Sequence, residues 1–213
     1  DKYPVARLTN HLNRLYFAHE KSTLSNKTEL YEAALRQLMT DFSSSPNAAD
    51  ISYALAESLI SRGSEAERGT KEFDLFKEAH QLATETIKRY PNSYGAQNAQ
   101  SLINQLESKE IDGKVLEFNG TKASILALIE YRNIEKINVL IYKDDEKDKK
   151  EYFSYLKEKL KGKNLVSEKI ITLPKATDFQ KHSTEIALDQ LPLGNYLIVY
   201  STDGKLFNQD THN

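Results

Sequence analysis

The spacing of apolar residues changes once along this chain, and that change limits the folds open to it more than any composition figure. Up to about Ser108, apolar residues recur at three- and four-residue steps; beyond Lys109 they run in short β-branched and aromatic stretches or alternate. A period near 3.6 belongs to helices with one buried stripe, and a period of 2 belongs to strands. The expected fold class is therefore α+β with two domains, a helical one over residues 1–108 and an antiparallel β domain over 109–213.

The best-defined stretch of the helical half is Glu78–Leu106. Ala79, Ala83 and Ile87 stand four residues apart, which places them on one stripe and leaves Glu78, Gln81, Glu85 and Lys88 toward water. Pro91 lacks an N–H and biases Tyr90 out of the helical region, so the helix ends at Arg89 or Tyr90. Asn92-Ser93 supply a cap for the next helix, which carries Leu102, Ile103 and Leu106. The spacing recurs earlier, since Ala34 precedes Pro46 by the same interval as Ala79 precedes Pro91. Two copies about 45 residues apart suggest a repeat.

Further helices are expected from Pro4 to about Glu20, with Leu8, Leu12, Leu15 and Tyr16 on its apolar side, and from a cap at Asn26 or Thr28, with Leu30, Ala34, Leu38 and Phe42 on one face. A third starts at Asn47 and buries Ile51, Leu55 and Leu59. Arg62–Thr70 reads as a solvated loop, with the fourth helix resuming near Lys71. Small residues at Ala34, Ala56, Ala79 and Ala83 let helices approach closely. This is the tetratricopeptide pattern in weakened form, without the consensus Trp and Gly of the first arm; an unrelated five-helix bundle is the other packing the pattern allows.

In the strand half, Val115–Phe118 is a first short strand. Ala123–Tyr131, Ile137–Tyr142 and Tyr196–Tyr200 are apolar at successive positions and are expected in sheet centres, covered on both faces. Leu165–Leu173 and Thr184–Leu188 mix charge with β-branched residues and are expected nearer sheet edges. Asp203-Gly204 signals a hairpin, with Leu206-Phe207 starting a return strand. Asp144–Gly162 carries a cap, a Glu146/Lys150 pair and a stripe of Tyr152, Phe153, Leu156 and Leu160, so one helix is inserted among the strands. That fits an antiparallel β-sandwich and excludes a parallel α/β sheet, which needs several crossovers.

Composition sets limits on chemistry. Lys and Arg total 29 against 31 Asp and Glu, a net charge of -2, so no field favours nucleic acid or anionic lipid. The absence of Cys removes disulfides, thiolate nucleophiles and Cys-based zinc sites. No apolar run reaches the roughly 20 residues that span a bilayer, so direct membrane insertion is not expected. His182, Ser183 and Glu185 have hydrolytic residue types, yet adjacent strand residues face opposite ways and do not converge. Asp144, Asp145, Glu146 and Asp148 lack the glycine and spacing of a calcium loop and are interleaved with lysines. His11 and His19 stand two helical turns apart, too far for one metal. No phosphate loop or nucleophile elbow occurs. No catalytic, cofactor-binding or metal residue is therefore assigned, and no cofactor is expected. Tyr53, Tyr90 and Tyr94, near the hairpin turns, are the candidate partner contacts, to be weighed against plain packing of repeat corners.

Three stretches together, RYPNSYGAQNAQSLINQL (Arg89–Leu106), KASILALIEYRNIEKINVLIYK (Lys122–Lys143) and HSTEIALDQLPLGNYLIVYSTD (His182–Asp203), resemble the N-terminal part of the large alpha-2-macroglobulin-like proteins of Bacteroidetes. The resemblance implies tetratricopeptide-like helices followed by a macroglobulin-type β-sandwich domain, here without its last strand, as a fragment of a longer chain. It implies a cell-envelope location, periplasmic or lipid-anchored, and a parent that traps or inhibits proteases. The thioester of some relatives needs a Cys and so does not reside here. The expected role is non-enzymatic: a scaffold and interaction segment whose partners are other domains of its own chain, or a protein or peptide. A free-standing tetratricopeptide-type peptide-binding adaptor is the alternative.

Overall fold

A computed structural model describes residues 4–67, 70–116, 124–144 and 165–202. The chain divides into two compact units, Asp1–Ser108 and Lys109–Asn213. The first holds helices and the second strands, an α+β two-part layout.

The helical unit comprises α1 (Pro4–Lys21), α2 (Lys27–Asp41), α3 (Ala48–Ser64), a 3-10 turn at Lys71–Asp74, α4 (Leu75–Arg89) and α5 (Tyr94–Glu107). Each helix packs on its chain neighbour, and α3 also meets α5. α3 is the hub. Ala49, Ile51, Leu55, Ala56 and Leu59 are fully buried along it, and Ser52 satisfies its buried hydroxyl by donating to the Ala48 carbonyl at 3.1 Å. Small residues set the closest approach: a Cβ added to Gly95 of α5 would stand 2.3 Å from the carbonyl carbon of Ala49. Ala79 and Ala83 are buried on α4, as are Leu102, Ile103 and Leu106 on α5. α4 ends at Arg89, and the Ser93 hydroxyl accepts the Ala96 N–H at 3.1 Å as the cap of α5.

Four helical expectations are corrected. On α2 the buried residues are Glu32, Leu35 and Leu38, while Leu30 is 51% exposed and Ala34 half-buried. The apolar stripe is rotated because a carboxylate occupies a core position, where Arg62 and Ser58 of α3 satisfy it. Tyr16 faces outward, 59% exposed. Asn26 and Asn47 hold the N-cap positions of α2 and α3 but make no side-chain cap. Arg62 and Gly63 belong to α3, which runs on to Ser64 before the loop begins.

The second unit contains β1 (Glu110–Val115), β2 (Ile125–Arg132), β3 (Lys136–Lys143), β4 (Leu165–Thr172), β5 (His182–Leu188) and β6 (Tyr196–Ser201). They form two three-stranded sheets, β1-β2-β5 and β4-β3-β6, with every pairing antiparallel. Alternation directs Ala127, Ile129 and Tyr131 of β2 and Ile137, Val139 and Ile141 of β3 into one apolar cluster. Ile186 and Leu188 of β5 join it, with Ile198 and Tyr200 of β6 packed against it, so both sheets share a core.

β4 and β5 lie at sheet edges, as their mixed composition suggests, and β3 is central and buried on both faces. Its second face places Leu140 and Tyr142 with Leu197 and Val199 in a smaller cluster. β6 is an edge strand rather than a central one. β2 is central in its sheet, yet only one of its faces is covered: Leu126 is 60% exposed. The first strand starts at Glu110, not Val115, because Gly113 and its charged neighbours pair along β2. The inserted helix expected at 144–162, with its acidic start after Asp144, and the hairpin at 203–207 lie outside the described residues. No described helix is long and apolar enough to cross a membrane.

Candidate functional site

Three helices of the first unit enclose a groove of about 590 Å³. α3 contributes Ala54, Glu57, Ser58, Ser61 and Arg62 at helical spacing, with Glu65 just past its end; α1 contributes Tyr16, His19 and Glu20; α2 contributes Lys27, Thr28 and Tyr31. The His19 ring stacks on Tyr31 with centroids 4.7 Å apart, and His19 Nε2 lies 3.2 Å from the Thr28 hydroxyl, which joins α1 to α2 at this end.

Arg62 is held from below. Its Nη2 donates to Glu32 Oε2 at 2.8 Å, and the Ser58 hydroxyl donates to Glu32 Oε1 at 3.1 Å. Glu32 is buried, so its charge needs that cation. The Arg62 Nε is also buried and has no hydrogen-bond partner.

Glu57 is the acidic centre of the site. The Tyr53 hydroxyl donates to Glu57 Oε1 at 2.5 Å. Burial, that hydrogen bond and the carboxylate's charge push the Tyr53 phenol up to about 12, with Tyr94 adding a smaller repulsion. The Tyr31 phenol is raised too, by burial first and then by the charge of Glu57.

Of the sequence-derived tyrosines, Tyr53 sits on the flank of this groove through Glu57. Tyr94, at the start of α5, is 72% exposed and close enough to Tyr53 to influence its ionisation. Tyr90 has a different setting: its hydroxyl donates to the Ser43 carbonyl at 2.8 Å, which also accepts from Arg89 Nη2 at 2.9 Å. It pins the corner between α2 and α3 to the end of α4. Tyr31, Glu57 and the Glu32–Arg62 pair were not singled out from sequence, and Tyr16 was placed there only on the apolar side of the first helix. The signal for Glu57 is the polar stripe of α3 itself; nothing local links Glu32 to a cation 30 residues on.

In the second unit His182 engages Asp178, with Nε2 2.8 Å from Oδ1. Burial alone would raise the Asp178 carboxyl, but the His182 hydrogen bond and the Gln180 N–H outweigh it and hold it below its usual value. Ser183 is exposed on the opposite side of β5, so His182, Ser183 and Glu185 are not brought together. His11 lies near Phe42 and His19 on Tyr31, in separate settings. Among the described residues no group of three metal-ligating side chains converges. No family model, curated protein or solved structure matches the chain.

Proposed function

We propose that this chain is a non-enzymatic interaction and scaffold segment: tetratricopeptide-like helices leading into a macroglobulin-like β-sandwich, as in the N-terminal part of a bacterial alpha-2-macroglobulin-like envelope protein. The observation that carries this reading is the order of architecture, five packed helices followed by two antiparallel sheets on one apolar core. The close contact of Gly95 with Ala49 supports repeat-like helix packing, since small residues at helix crossings are what such stacking requires. The Asp178–His182 pair supports a structural role for His182, since it ties the start of β5 to the preceding loop. By resemblance, the parent protein traps or inhibits proteases in the cell envelope, and this segment positions its neighbouring domains.

The test uses the native reading frame. The frame is expected to encode further β-sandwich domains downstream and an export signal upstream, and the full-length product to retain an added protease on gel filtration while suppressing its action on protein substrates. A frame that closes near Asn213 without an export signal overturns the reading. The alternative, a free-standing peptide-binding adaptor, draws on a different observation, the groove between α1, α2 and α3.

A further inference from the structure

We propose that the groove between α1, α2 and α3 receives a lysine or arginine side chain from an extended basic segment of a partner protein. This inference concerns the helical unit alone and does not depend on the macroglobulin reading.

The charge around the groove favours a cation. Among the described residues that line it, Glu20, Glu57 and Glu65 are exposed carboxylates, whereas the Arg62 guanidinium is paired with Glu32 beneath it, leaving Lys27 as the opposing charge. A phosphate or an acidic peptide entering here meets three carboxylates; a cation meets complementary charge. A phenol ring supplies a second means of recognition. Tyr16 is largely exposed at the rim and offers its ring to an ammonium or guanidinium, whereas one face of Tyr31 is already covered by the His19 ring.

Size separates a peptide from a free cation. A groove of about 590 Å³ exceeds what one ammonium head fills and suits a side chain with its flanking backbone.

The test is calorimetric titration of the 213-residue chain with a dodecapeptide of alternating lysine and alanine, with its glutamate counterpart and with spermidine. The lysine peptide is expected to bind, with affinity falling as salt rises, and the glutamate peptide is not. Glu57→Gln and Glu65→Gln should each weaken binding by about three- to fivefold, and Tyr16→Ala by about threefold. Lys27→Ala should strengthen it, and Glu185→Gln in the other unit should leave it unchanged. Circular dichroism confirms that each variant keeps its helices. Equal binding of both peptides, or indifference to Glu57→Gln, Glu65→Gln and Tyr16→Ala together, overturns the proposal. So does displacement of the lysine peptide by an equal concentration of spermidine, which would make the groove a small-cation site.

Discussion

The Tyr200 ring packs against Gly113, so near that a Cβ at position 113 would stand 2.1 Å from its Cε2 atom. Gly113 belongs to β1 and Tyr200 to β6, strands of different sheets, so the contact is one of the links between them. The Tyr200 hydroxyl is buried without a hydrogen-bond partner, and burial, then the charge of Asp112, raises its phenol. Gly113→Ala forces the ring out of the core and should cost about 3 kcal/mol, measured by urea denaturation. In the Tyr200→Ala background the same change should cost far less, and a double-mutant cycle reads that difference directly. Additive costs would mean the ring moves aside freely.

Helix crossings in the first unit should be equally intolerant of added volume. Gly95→Ala drives a methyl into the backbone of Ala49, which cannot rotate away, and should cost roughly 3 kcal/mol. Ala79→Leu overfills a fully buried site on α4 and should cost about 1 to 3 kcal/mol. Thermal melting checks both, and an unchanged midpoint for either would remove that residue from its interface.

The pair of Glu32 and Arg62 carries the third prediction. Glu32→Ala strands a mostly buried guanidinium and should destabilise the chain by about 2 to 3 kcal/mol, below the figure for a fully buried pair because water still reaches Arg62. Replacing both residues by leucine should recover most of the loss. Chemical denaturation of the two variants distinguishes these outcomes.

Tyr53 gives a pH signature. Its phenol ionises near 12 in the fold, above the usual value near 10 for an unstructured chain. The fold therefore favours the protonated form, and this contribution is whole below about pH 10 and lost as pH rises toward 12. Ultraviolet titration of phenolate should show a late-ionising tyrosine that Tyr53→Phe removes. Glu57→Gln should lower its midpoint only in part, because burial, the largest single cause of the shift, remains.

Period made the order of helices and strands legible, along with the apolar faces of α3 and α5, while Pro91 and the side chains of Asn92-Ser93 marked the end of α4 and the cap of α5. Features decided by long-range pairing were not. Leu126 and Ala127 look alike in a run of apolar letters, and only the second sheet determines which is covered. β6 reads as central by composition but has a neighbour on one side. Glu32 reads as solvated until α3 brings Arg62 and Ser58 to it. For the candidate site, the tyrosines were visible as residue types; their settings were not, since Tyr90 packs a corner while Tyr53 shares a carboxylate with the groove.

α3 touches α2, α4 and α5, whereas α1 rests chiefly on α2. The least anchored helix is thus also one jaw of the groove. Its opening should need less free energy than global unfolding, so amide exchange in α1 should outpace that in α3. A guest gripping both walls would slow that exchange, clamping the jaw shut without touching the rest of the unit.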